Sequence, residues 1–226
     1  MRHHHTLLRS FQRLLSAIYD LPVKDDIADF VITDRRLLPA AHRDTPTNEQ
    51  VLVTTDGEVL DISVYLDADM LDRLAQANPF NMLNGDNVAD CWTTLEGVSH
   101  FLYLAWNAAH DRPVTLFELE LQAEIDKYVS SLWLLRRQYP GRFPVELHHL
   151  LFERSRVDPA LARERIAMYE SASRYASRFC RALSRQLDSS LSSVRIATVA
   201  ELRRFYRLNH QRKFRHIEHE ALDSAC

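Results

Sequence analysis

Apolar residues recur at intervals of three and four through Leu7, Leu8, Phe11, Leu14, Leu15 and Ile18, which predicts an amphipathic helix over His5–Asp20, ended by Leu21 and Pro22. The period then changes. Phe30, Val31 and Ile32 form a short β-prone run. Residues 39–48, with two prolines and few apolar positions, read as a surface loop. Val51–Thr54 and Val59–Leu66 flank Asp56-Gly57, a pair suited to the positive φ angles of a two-residue hairpin turn. In the second run Leu60, Ile62, Val64 and Leu66 alternate with Asp61, Ser63, Tyr65 and Asp67, so one face of the strand should be buried and the other wet.

Helical periodicity dominates the remainder. Asp69–Ala77 reads as a short helix, and 78–87 as a turn-rich loop leading into a helix over Val88–His110, broken by Arg112-Pro113. Thr115 followed by Glu118 is a capping box, in which each side chain satisfies a free backbone N–H of the first turn; it starts a helix to about Gln138 with Leu121, Ile125, Tyr128, Leu132 and Leu135 on its core face. Val145–Arg154 suits another short helix. Asp158-Pro159 is an N-cap and first-turn pair for a long helix through Met168, Tyr175, Phe179 and Leu183. A polar hinge follows at 188–193, and Thr198 with Glu201 forms a second capping box, predicting one final helix to about Glu220. The expected fold class is mainly α with a small N-terminal β-hairpin or short antiparallel sheet (α+β) and a helical bundle-like body. The expected organisation is one domain, 1–226, with a sub-boundary near 188–193, an α/β part over 1–87 and a helical part over 88–226.

One helix carries the candidate chemistry. Glu96, His100, Tyr103, Asn107 and His110 recur at spacings of four, three, four and three, which stacks them on one face. Trp92, Leu95, Val98, Phe101, Leu102, Leu104 and Trp106 cover most of the remaining circumference, so the stripe should lie partly inside the protein, where a dehydrated Glu and His need partners. Glu96 and His100 at i, i+4 can offer a carboxylate oxygen and an imidazole nitrogen to one ion, but a competent site takes three or four ligands. The next helix supplies Glu118, Glu120, Glu124 and Asp126, and His148 and His149 lie beyond it. A metal reading of these residues takes Glu96, His100, Glu124 and His148 as ligands and Glu96, His100 and Tyr103 as catalytic residues, and leaves the cofactor unassigned beyond a divalent ion. The reading the sequence favours over it leaves Glu96 and His100 bonded to each other, to Tyr103 or to a facing helix, with Glu120, Glu124 and Lys127 on a solvated face whose Glu124–Lys127 spacing suits a surface pair. His-Glu-x-x-His, Glu-x-x-His and Cys/His knuckle motifs are absent from the sequence, as is a Gly-x-Ser-x-Gly elbow.

Composition narrows the classes further. The chain of 226 residues is 46% hydrophobic, enough for a substantial core, and its four glycines argue against a many-turned barrel or a Gly-rich phosphate loop. Without an 18-residue apolar run or a leader pattern it reads as soluble and cytoplasmic, with no membrane span. Cys91, Cys180 and Cys226 are odd in number and lack Cys-x-x-Cys spacing, so reduced thiols are expected. His3–His5 are read equally as native residues or the trace of an expression tag and carry no weight. The net charge of −3 hides an asymmetry: residues 1–150 hold 13 Lys/Arg against 22 Asp/Glu, and 151–226 hold 15 against 9. A basic C-terminal part would attract the acidic body, a second copy or a protein partner. Arg203, Arg207, Arg212 and Lys213, interleaved with Phe205, Tyr206 and Phe214, would alternatively face nucleic acid. The leading functional expectation is a helical interaction protein that pairs with itself or another protein. The alternatives are a metal-dependent hydrolase with a Glu/His site between helices, and nucleic-acid binding through the basic C-terminal helix.

Overall fold

The computed structural model describes residues 2–22, 24–57, 59–153, 162–187 and 192–223. The described chain is mainly α with a small three-stranded mixed sheet, an α+β arrangement. It divides into two compact units: Met1–Ala17 with Leu21–Val114, and Thr115–Cys226 with the short stretch Ile18–Asp20. Of the expected hinge at 188–193, residues 188–191 lie outside the described residues, as do the Asp158-Pro159 cap and Cys226.

In the first unit the leading helix α1 (Arg2–Tyr19) buries Leu7, Leu8, Phe11, Leu14 and Leu15, the stripe set by its periodicity. It begins earlier than the sequence pattern suggested. His4, set aside in the sequence reading, is buried there, and its Nε2 bonds Asp72 Oδ1 at 2.6 Å. The hairpin is present as β2 (Glu49–Asp56) and β3 (Val59–Leu66), and β1 (Val31–Ile32) adds to the other edge of β3 in parallel, giving the order β1-β3-β2. Register pairs Asp56 with Val59, so the loop begins at Gly57 (φ +59°) and Asp56 is the last strand residue, not the first turn residue.

Tyr65, expected to be wet, is buried. The segment read as a plain loop contains α2 (Ala40–Arg43) and meets the second face of the sheet only at the Gln50 and Tyr65 end, Thr54 and Asp61 farther along that face being exposed. Arg35 lies over the Tyr65 ring at 4.8 Å and donates to the carbonyls of Thr45 and Thr47, while Gln50 bonds the His42 ring at 2.7 Å. After α3 (Ala68–Gln76), Asn87 ties the 78–87 loop together: its Nδ2 donates to the carbonyls of Ala77 and Met82, and its Oδ1 accepts from the Asn84 N–H. Helix α4 (Val88–Ala108) then packs on β2 and β3. It ends where Arg112 N–H returns to the Asn107 carbonyl at 3.0 Å with Asp111 at φ +52°, a left-handed residue closing the last turn.

The second unit contains α5 (Leu116–Gln138), α6 (Glu146–Phe152), α7 (Arg163–Leu187), α8 (Ser192–Tyr206) and α9 (His210–Asp223). Both halves of the Thr115/Glu118 capping box are formed. The expected single final helix is a correction: it is two helices, α8 and α9, separated at 207–209, where Asn209 Oδ1 accepts from the Arg212 N–H and opens α9. Thr198 therefore sits inside α8 and does not start it; its hydroxyl donates to Gln186 Oε1 at 3.1 Å. The break lets both helices present aromatics to the same core. Phe179 of α7 stacks on Phe205 of α8 at 4.1 Å, and Phe117 of α5 stacks on Phe214 of α9 at 4.8 Å.

Candidate functional site

Helix α4 lies against the sheet at Gly97. A Cβ at this position would meet Val64 Cγ1 at 2.9 Å, Leu66 Cδ2 at 3.1 Å and Glu49 Cγ at 3.3 Å, so the absence of a side chain permits the close approach. Glu96 and His100 flank that contact. His100 is 3% exposed and Glu96 is half-buried, and their ligand atoms lie within 4.8 Å of one another. The sheet adds a third group that the sequence reading passed over: Glu49 Oε1 lies 3.3 Å from His100 Nδ1, with the carboxylate side chain 11% exposed. Its signal was available. Strand pairing sets Glu49 opposite Leu66, Val51 opposite Val64 and Val53 opposite Ile62, so Glu49 occupies the sheet face whose β3 members are apolar and buried.

The rest of the stripe splits by depth. Tyr103 and Asn107 are buried, and Asn107 Nδ2 donates to the Tyr103 carbonyl at 2.8 Å. His110 is exposed, and its Nδ1 bonds the Trp106 carbonyl at 2.6 Å. These two polar side chains serve the last turn of their own helix. The four-residue metal set expected from sequence divides accordingly: Glu96 and His100 share a face of α4, whereas Glu124 and His148 belong to the second unit and are engaged there. Glu124 Oε1 accepts from Lys127 Nζ at 2.8 Å, and His148 Nε2 bonds the Ser177 carbonyl of α7 at 3.0 Å. The Glu124–Lys127 pair has the predicted spacing, but the solvated face does not hold: Glu120 is 7% and Lys127 9% exposed.

The basic C-terminal set is corrected more sharply. Lys213, expected to face phosphate, is completely buried. Arg203 Nε donates to the Ile18 carbonyl at 3.0 Å, and Arg207 donates to the carbonyls of Arg203 and Asp20, both at 2.9 Å. These arginines satisfy backbone oxygens that a helix end leaves bare. Arg212 is exposed.

Inside the second unit lies a buried polar network. Asp126, 1% exposed, accepts from the Tyr19 hydroxyl and from Gln122 Nε2 at 2.8 Å. Gln122 Oε1 accepts from Lys213 Nζ at 2.8 Å, and that nitrogen also lies 5.0 Å from the Phe205 ring centre and 5.8 Å from that of Tyr206. Burial pulls the Lys213 ammonium down to about 7, against the raising influence of the Glu118 and Asp126 carboxylates. Burial, reinforced by Asp126, pushes the Tyr19 phenol well above its ordinary range. The thiols of Cys91 and Cys180 are buried and likewise pushed up by desolvation, so they pack as small apolar groups and are poor nucleophiles.

Among the described residues no helix is long and apolar enough to cross a membrane. Compared with known proteins, the chain matches no family model, no curated protein and no solved structure.

Proposed function

We propose that the protein binds a divalent metal ion through Glu96 and His100 and uses it for hydrolysis. The observation that carries this reading is the pairing of a buried imidazole with a carboxylate one helical turn away, their ligand atoms within 4.8 Å. A nitrogen and carboxylate oxygens form a donor set of intermediate hardness, suited to manganese, iron or zinc. Further donors, from protein or water, complete the shell. Bound there, such an ion would make a coordinated water more acidic, most strongly if it is zinc, and so supply a nucleophile without a Ser or Cys elbow. Tyr103, the next stripe residue along α4, is the side chain assigned to proton transfer.

The test is metal analysis of protein purified without an affinity tag, with His3 and His5 changed to Gln to remove adventitious binding. The expected result is one equivalent of manganese, iron or zinc, retained on gel filtration and lost in Glu96→Ala and His100→Ala variants whose circular dichroism is unchanged. Wild-type protein that neither carries such a metal nor takes one up on dialysis would overturn the reading.

A protein-partner role is the second reading. It is favoured by Trp133, Tyr139 and Val145, which are 41%, 42% and 73% exposed along the stretch from α5 to α6, with Arg137 5.3 Å from the Trp133 ring centre. Exposed aromatics beside arginine are the composition of interface centres. Self-association measured by sedimentation, abolished in Trp133→Glu, would support it.

A further inference from the structure

Two nitrogens of a neutral imidazole compete for one proton, and only the one that lacks it can ligate a metal. His100 meets this choice in a built environment. Its Nδ1 lies 3.3 Å from Glu49 Oε1, both side chains are almost removed from solvent, and the Glu49 stem lies close to α4 at Gly97, where a Cβ would come to 3.3 Å from Glu49 Cγ. A carboxylate accepts and cannot donate when ionised, so it holds the proton on the nitrogen that faces it. Glu96 lies on the same helix one turn before His100.

We infer that Glu49, at the head of β2, is a positioning residue that fixes His100 as the Nδ1–H tautomer and so reserves Nε2 for a metal. The inference rests on the metal reading for its purpose but not for its geometry. It joins the hairpin to the candidate centre: the group that tunes the helix-borne ligand comes from a strand 51 residues earlier in the chain. Outer carboxylates of this kind orient a ligating histidine and raise its basicity, and losing one typically weakens metal binding by about 10- to 100-fold.

The test uses the metal-free full-length protein with ¹⁵N-labelled histidine, at a pH where the ring is neutral. Nitrogen chemical shifts separate a protonated from an unprotonated ring nitrogen. The wild type should show Nδ1 protonated and Nε2 bare. Glu49→Leu, which keeps bulk against Val64 and Leu66 but accepts no hydrogen bond, should move the ring toward the Nε2–H form, and Glu49→Gln, which still offers a carbonyl oxygen, should fall between. Manganese and zinc affinity, measured separately by calorimetry, should fall by about 10- to 100-fold in the Leu variant and less in the Gln variant. An Nε2–H ring in the wild type, or a tautomer indifferent to both substitutions, overturns the assignment even if metal binds. A ring that responds as expected in a protein that binds neither metal upholds Glu49 and overturns the metal reading instead. Should Glu49→Leu fail to fold, the Gln variant alone decides, since it changes shape by almost nothing.

Discussion

Taking an ammonium out of water is costly enough that a buried lysine gives up its proton readily, and Lys213 carries that cost into the stability of the protein. Its folded-state value of about 7 lies below the ordinary 10.5, so between those two pH values the unfolded chain binds more protons than the folded one. Stability therefore rises as pH increases from about 7 toward 10.5; below about 7 both states are protonated and this contribution is flat. The expected slope is at most about 1.4 kcal/mol per pH unit. Urea midpoints of wild type and Lys213→Met, compared between pH 7 and 9.5, should diverge with the wild type gaining. Parallel curves would show that Lys213 is charged in the folded state throughout. The upper limit avoids the tyrosines, whose raised values give the opposite slope: Tyr128, pushed up to about 12 by burial, costs stability once unfolded tyrosine ionises near pH 10. Nothing in the residue types of 210–216 distinguished Lys213 from its exposed basic neighbours. Its burial depends on Gln122, 91 residues away.

Elements were far more legible than contacts. The Thr115/Glu118 box announced α5 because both halves of the motif lie within one turn, and local geometry is all it needs. The same pattern at Thr198/Glu201 misled, because α8 was already running and the hydroxyl found Gln186. What ended α8 was a three-residue break, Arg207-Leu208-Asn209, closed by an asparagine cap, a signal that pure hydrophobic periodicity runs through. Gly97 is the clearest case of an element shaped by its neighbour. In an isolated helix Gly97→Ala should gain about 1 kcal/mol. Here the new methyl would enter the 2.9 Å gap to Val64, so the substitution should cost about 1–3 kcal/mol of stability, with α4 lifted from the sheet and metal affinity reduced alongside. Chemical denaturation measures the sign directly, and a stabilised Ala variant would refute the close approach.

At the scale of the molecule the division of the chain tracks its charge. The first unit holds 9 Lys/Arg and 16 Asp/Glu, net −7, and the second 19 and 15, net +4. The candidate centre falls in the acidic unit, which favours a cation at any site inside it. If the proposed metal binds the folded state alone, free ion at a hundred times its dissociation constant should stabilise the protein by about 2.7 kcal/mol, seen as a raised melting temperature that His100→Ala loses. An equal shift in that variant would place the ion elsewhere.

By itself the sequence determined most of the long helices, the hairpin, the buried face of β3 and the stacking of Glu96 above His100, because each follows from a repeat of 3.6 or 2 residues or from a cap within one turn, whereas α2 and the break between α8 and α9 did not. Tertiary structure alone decided which polar residues meet: Glu49 with His100 across 51 residues, Lys213 with Gln122 across 91, Tyr19 with Asp126 across 107. Periodicity assigns a side chain to a face, but it carries no information about what the fold brings to that face, and partner choice between distant segments is a property of the packed chain.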